Sequence, residues 1–291
     1  MSESISAFAS AEIPVERIRT GDGLHLALYR IGAADGLPVI LTHGTFSNYR
    51  SCLGLANFLA ARGFACWIFD WRGHGASDNG DYQHSFDEVA DHDVPAVLDA
   101  VHQRSGQPAQ FWIGHSGGGL IASMWAARNP AQARERMRGL VLLGSQATAA
   151  AERPLHRWAI HAYDWLLRGR RTAPQQRKRI GPETESARLM RQWCQWNLRA
   201  RFQGEDGFDY LHGLAGLRLP VLGLAGSGDR FIAPASGCQT LVRAFDAGDA
   251  SFRLCGNATG FREDYSHNRL VLSRNASLEL WPLIADWMAQ R

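Results

Sequence analysis

The sequence predicts an α/β protein: a mostly parallel central sheet with helices on both faces, interrupted by one long helical insertion. Short apolar runs alternate with longer segments of helical spacing along most of the chain. Several of the runs are compact and wholly apolar, as in strands covered on both faces. The alternation lapses once, from about Gln146 to Gly216, where no convincing strand occurs and the chain is rich in Arg and Trp. Parallel strands need crossover connections, and those crossovers place helices on the sheet faces.

Leu24–Arg30 alternates and reads as a half-exposed strand; Pro38–Thr42 (PVILT) is a buried one. Tyr49–Arg62 has helical spacing and stops at Gly63, a C-terminal signal. Ala65–Asp70 (ACWIFD) is the next strand, and Ser85–Arg104 a helix with Pro95 as a kink. Gln110–Gly114 (QFWIG) is a strand, Leu120–Asn129 a helix and Gly139–Gly144 (GLVLLG) a strand. After the insertion come strands at Pro220–Ala225 (PVLGLA) and Ser251–Leu254, then an amphipathic helix over Asn275–Gln290. An insertion between two strands of such a sheet sits at its end, and ligand sites favour the carboxyl ends of the strands. The reading is therefore a core of residues 1–145 and 217–291 with a helical cap over residues 146–216.

A chain of 291 residues suits one large domain, or one domain with an inserted subdomain, and can bury a substantial core. The hydrophobic share of 45% and charged share of 20% are ordinary for a soluble globular protein. The formal charge of +3 is too small to argue for nucleic acid. Basic residues are almost all Arg, with Lys178 the single lysine, which reflects composition bias rather than design. Five cysteines (Cys52, Cys66, Cys194, Cys238, Cys255) form an odd set without CxxC spacing, against a disulfide framework or a zinc site. The start, MSESISAFASAEIPVERIR, lacks the pattern of a signal peptide, and no run approaches the roughly 18 to 20 apolar residues of a membrane span. A reduced, cytoplasmic protein is the expectation.

Chemistry concentrates in Gly114-His115-Ser116-Gly117-Gly118, a G-x-S-x-G that follows a strand directly and precedes a helix. A sharp strand-to-helix turn forces the serine into strain, small neighbours avoid the clash, and the hydroxyl is exposed as a nucleophile. The backbone N–H of Gly117, at a helix start, is placed to bind developing negative charge. His43-Gly44-Thr45-Phe46 follows PVILT at the same end of the sheet, and the Thr45 N–H is the candidate for a second oxyanion donor. One such donor is worth about 3 kcal/mol in the transition state.

These segments resemble the α/β-hydrolase family. The resemblance adds Asp70-Trp71-Arg72-Gly73-His74-Gly75-Ala76-Ser77-Asp78, similar to the family's D-x-R-G-x-G-x-S loop, and Gly226-Ser227-Gly228-Asp229-Arg230, where the family places its acid. It ends at His267, between the last strand and the final helix. It implies the α/β-hydrolase fold with Ser116 as nucleophile, His267 as general base and Asp229 as the acid that orients it. His43, His74 and His115 are rivals for the base, with His43 and His115 inside structural motifs. Asp249 and Asp264 are rivals for the acid, Asp264 being better suited to ordering the His267 loop. The Asp70–Asp78 loop is assigned to structure, Arg72 being able to pair with carboxylates.

Serine at the elbow excludes relatives with Asp or Cys nucleophiles. HGTFSN, GHSGGG and a helical cap are similar to lipase-like and lysophospholipase-like members, and an HGGG loop is absent. The resemblance implies hydrolysis of carboxylic esters through an acyl-enzyme, with thioester, amide or C–C cleavage on the same scaffold as alternatives and a non-catalytic ligand-binding scaffold as a further one. No metal or organic cofactor is implied, and no oligomeric state. Residues 151–203 carry twelve basic and four acidic side chains, a local charge of +8. That is either a solvated helix face or a surface attractive to anionic lipid or acyl-CoA phosphates. Trp158, Trp165, Trp193 and Trp196 either line an acyl pocket or anchor the cap.

Overall fold

The computed structural model describes residues 13–174, 181–245 and 248–291. The reading of the N-terminal segment before Ile13, and the basic residues Arg177, Lys178 and Arg179, lie outside the described residues. Eight strands form one sheet: β1 (Val15–Arg19), β2 (His25–Ile31), β3 (Leu37–Thr42), β4 (Phe64–Asp70), β5 (Gln110–His115), β6 (Met137–Leu143), β7 (Val221–Gly226) and β8 (Ala250–Cys255). Their spatial order is β1-β2-β4-β3-β5-β6-β7-β8. The β1–β2 and β2–β4 pairs are antiparallel and every other pair is parallel.

Strands β4, β5 and β7 are buried at every position, which is why they read as unbroken apolar runs. Successive side chains point to opposite faces and feed two cores. Val39, Leu41, Phe111 and Ile113 pack with helices α1 (Leu53–Ala60) and the C-terminal Arg274–Ala289. Ile40, Trp112, Leu140 and Leu142 pack on the other face, against α2 (Val94–Ser105) and α3 (Gly117–Arg128). Next in the chain come α4 (Pro130–Arg136), α5 (Pro154–Leu167), α6 (Ala187–Arg199), α7 (Tyr210–Leu214) and α8 (Ala235–Ala244), with Arg274–Ala289 as α9.

Several details differ from the sequence reading. Strand β1 was not foreseen, because four of its five residues are exposed and it carries no apolar signature. The expected helix Ser85–Arg104 is broken. Ser85 caps a single turn with Glu88, a π-turn spans Val89–Asp93, and Pro95 falls in the first turn of α2, where its missing N–H costs nothing. Helix α3 starts at Gly117, directly after Ser116, rather than at Leu120. Between β6 and β7 the described residues hold no strand beyond two isolated bridges, as the sequence led us to expect.

The chain leaves β3 toward β4 on one side and reaches β5 on β3's other side. Neighbouring parallel strands whose connections diverge leave a crevice at their carboxyl ends. Thr45 follows β3 and Ser116 follows β5, so this crossover brings the two together.

Candidate active site

Ser116 sits between β5 and α3 at φ 54° and ψ −120°, a conformation that costs a non-glycine residue on the order of 1–3 kcal/mol. The surroundings hold it there. The Ser116 N–H donates to the Leu143 carbonyl at 2.8 Å, and its own carbonyl accepts from the Ser145 hydroxyl at 2.8 Å. Glycines permit the tight packing: a Cβ on Gly114 would lie 2.3 Å from the Gly119 nitrogen, and one on Gly118 would lie 2.5 Å from the His43 carbonyl oxygen. The G-x-S-x-G spacing is thus a requirement for backbone-on-backbone contact on both sides of the serine.

The loop after β3 lies directly on this turn. A Cβ on Gly44 would stand 2.8 Å from the Ser116 Cβ. Thr45 and Gly117 line the same cavity as Ser116.

His267, on the loop between β8 and α9, pairs through Nδ1 with Asp229 Oδ2 at 2.6 Å. Asp229 Oδ1 accepts the backbone N–H groups of Ile232 and Ala233, each at 3.1 Å. Burial disfavours its ionised form, but the His267 hydrogen bond and charge, with the two N–H donors, outweigh burial and hold the carboxyl below its ordinary range. Ser116, Asp229 and His267 all line one cavity of about 1170 Å³ at the carboxyl ends of the strands. Phe46, Leu120, Ile160, Tyr163, Met190 and Trp193 make much of its wall apolar.

The rivals have other partners, although His115 also lines this cavity. Burial and the neighbouring His267 push His115 down to about 3, so its ring is neutral; its Nε2–H donates to the His267 carbonyl at 3.1 Å and steadies that loop. His43 is fully buried and, chiefly through burial, kept neutral; its Nδ1 lies 2.6 Å from the Trp71 indole nitrogen, which can only donate. His74 is bound to Glu185. Asp249 pairs with Arg291 at the surface, and Asp264 accepts from Ser227 Oγ at 2.7 Å and the Asn257 N–H at 3.0 Å. Arg72 is buried between Asp93 and Asp22, which fits the structural assignment of its loop.

The four tryptophans divide. Trp193 lines the cavity and Trp196 is buried against Phe86 and Phe202. Trp158 and Trp165 do neither: they are 70% and 69% exposed on α5. The sequence reading also passed over Glu185, counted only as one acid among basic residues. It is wholly buried, and its partner His74 is too remote in sequence for any spacing rule to link them.

Residues 36–258 match the family model described as serine aminopeptidase, S33. Over 139 residues the chain is 30% identical to lipase member K of Mus musculus, covering 40% of this chain and 35% of that lipase. Over 175 residues it is 31% identical to the lysosomal acid lipase/cholesteryl ester hydrolase of Homo sapiens, covering 52% of this chain and 43% of that protein. The chain therefore spans less than half the length of these curated relatives. Its fold is similar to that of a monoacylglycerol lipase from Paleococcus ferrophilus, with a TM-score of 0.66 at 19% identity over 91% of this chain and 98% of the other.

Proposed function

Because the chain belongs to the serine aminopeptidase S33 family and has the α/β-hydrolase fold, we propose that it is a serine hydrolase of carboxylic esters, of the esterase or lipase type, with Ser116, His267 and Asp229 as its triad. The observation that carries this reading is the His267–Asp229 pair at 2.6 Å on the wall of the cavity that Ser116 lines. Ionised Asp229 takes the Nδ1–H of His267, which leaves Nε2 as the proton acceptor. His267 removes the Ser116 proton as Oγ attacks the ester carbonyl carbon, and the C=O electron pair moves onto oxygen. The N–H groups of Thr45 and Gly117 bind that oxyanion. Collapse expels the alcohol, protonated by His267, and leaves an acyl group on Ser116; water then repeats the sequence and releases the acid.

Residues 146–216 act in this reading as a cap, supported by the contribution of α5 and α6 to the cavity wall. An apolar cavity of about 1170 Å³ suits an acyl chain, and the lipases matched over part of their length make esters the first choice over amides. Hydrolysis of p-nitrophenyl esters from acetate to palmitate tests it, with an optimum at medium to long chains expected. Labelling of Ser116 by a fluorophosphonate without turnover of any ester would redirect the search to thioesters, amides or C–C bonds. Failure to label would leave a ligand-binding scaffold.

An anionic lipid surface is the partner this cap suits. Leu155, Trp158 and Trp165 are exposed on α5 at 74%, 70% and 69%, an unusual display of apolar surface. Arg153, Arg157, Arg168, Arg170 and Arg171, all exposed, lie within the same stretch of chain and supply the complementary charge. Vesicles containing phosphatidylglycerol are expected to bind more tightly than phosphatidylcholine vesicles, less so in high salt. The double variant Trp158→Ser/Trp165→Ser is expected to weaken binding by about tenfold or more. Equal binding to both vesicle types, or a dimer that the variant dissolves, would take the face away from lipid. The five cysteines are all buried and unpaired.

A further inference from the structure

Phe46 follows Thr45 in the loop beside Ser116. It holds a left-handed conformation, φ 60°, although it is a bulky residue and only 3% exposed. Such a conformation persists only where the surroundings enforce it. Here the enforcing groups come from the segment between β6 and β7. The Phe46 N–H donates to Glu185 Oε2 at 3.3 Å, and the Phe46 carbonyl accepts from the Glu183 N–H at 3.0 Å. A Cβ on Gly181 would lie 2.0 Å from the Phe46 carbonyl oxygen, so this segment runs directly along Phe46. Both backbone polar groups of Phe46 are thus satisfied by the cap.

Glu185 is held in turn. It is fully buried, and its Oε2 also pairs with His74 Nε2 at 3.1 Å. The other ring nitrogen of His74 faces the Arg72 carbonyl at 3.1 Å, so both nitrogens meet acceptors and the ring is an imidazolium. Burial opposes that charge, but Glu185 outweighs it and raises the His74 pKa. Glu185 Oε1 accepts the Ser186 N–H at 2.9 Å and lies 3.6 Å from His84 Nε2. N–H groups therefore approach both carboxylate oxygens. An amide could not serve, because one of its two ends donates.

We propose that Glu185 is a positioning residue for the oxyanion hole, fixing the Thr45 N–H from the cap through Phe46. Gly44 is pinned against Ser116 on one side, and Phe46 is pinned by the cap on the other. Thr45 is the single residue between these anchors, and its peptide planes follow from both. Docking of the cap and completion of the oxyanion hole then become one event. This rests on the proposed use of the Thr45 N–H in ester hydrolysis.

Glu185→Gln tests it. Its kcat on a short p-nitrophenyl ester, and its rate of fluorophosphonate labelling at Ser116, are expected to fall about 10- to 100-fold with KM within about twofold of wild type. That loss is smaller than the roughly 100- to 1000-fold that accompanies removal of an oxyanion donor, because the donor is displaced rather than deleted. Glu205→Gln, which removes a cap carboxylate paired with exposed Arg188 and not with Phe46, should label at the wild-type rate. A folded Glu185→Gln protein with unchanged kcat and labelling, or one altered in KM alone, overturns the proposal. Should that variant not fold, hydrogen exchange of the wild-type chain decides. The Phe46 amide is expected to exchange no faster than the amides of α6, and rapid exchange there while α6 stays protected overturns the proposal. A wild-type chain that neither labels nor turns over esters indicts the hydrolase reading instead.

Discussion

Ser116→Ala is expected to lower kcat for ester hydrolysis by roughly 10⁵- to 10⁶-fold and to leave the melting temperature almost unchanged. The size follows from the way the site divides the work. On the proposed mechanism no acyl-enzyme forms without Oγ, and His267 and Asp229 have nothing to activate; what remains is binding and the two proposed oxyanion donors, worth about 10³- to 10⁴-fold over water. Fold and site separate cleanly in this variant. The strained backbone at residue 116 is held by the Leu143 carbonyl, by the Ser145 hydroxyl and by glycine contacts, all of which alanine keeps. Single-turnover kinetics with an activated ester is the measurement. Retention of more than about one percent of wild-type activity would move the nucleophile elsewhere.

Asp229→Asn is expected to cost about 10⁴-fold, by a different route. In the wild type Oδ1 takes two backbone N–H groups and Oδ2 takes Nδ1–H of His267. An asparagine would keep its carbonyl oxygen on the two N–H groups and turn its NH₂ toward His267. The imidazole must then accept at Nδ1 and carry its proton on Nε2, which is the wrong tautomer for a base. Stability follows the same carboxylate. Its folded pKa lies below the ordinary value of about 3.9, so it stabilises the fold above that value and the contribution is lost as pH falls through the lowered folded pKa. The melting temperature of wild type should therefore exceed that of Asp229→Asn at neutral pH and converge on it in acid. A gap independent of pH would assign the difference to packing.

Much of this arrangement is legible in the chain itself, for physical reasons that also explain what was not. Strands β3 to β7 announce themselves because burial on both faces demands uninterrupted apolar residues. Gly114 and Gly118 announce the elbow because no larger residue fits there. Asp229 and His267 were found only through a resemblance, since a single Asp or His in a loop carries no pattern of its own. Strand β1 and helix α4 escaped, the first because an exposed edge has no hydrophobic period, the second because only Ala133 of its residues is buried. Glu185 escaped for a deeper reason. Local charge counting treats every acid in a basic segment as solvated, whereas this one is buried against a histidine from the loop after β4, 111 residues earlier in the chain.

The sheet's order has a bearing on biosynthesis. From β5 to β8 the strands lie side by side in the order in which they are translated. Ser116 follows β5, Asp229 follows β7, and His267 comes just ahead of the closing helix Arg274–Ala289. A nascent chain thus exposes Ser116 long before His267, its proposed base, has left the ribosome. On the proposed mechanism the serine stays idle until residues 229 and 267 have both been synthesised and packed beside it, so synthesis order keeps the nucleophile apart from its base.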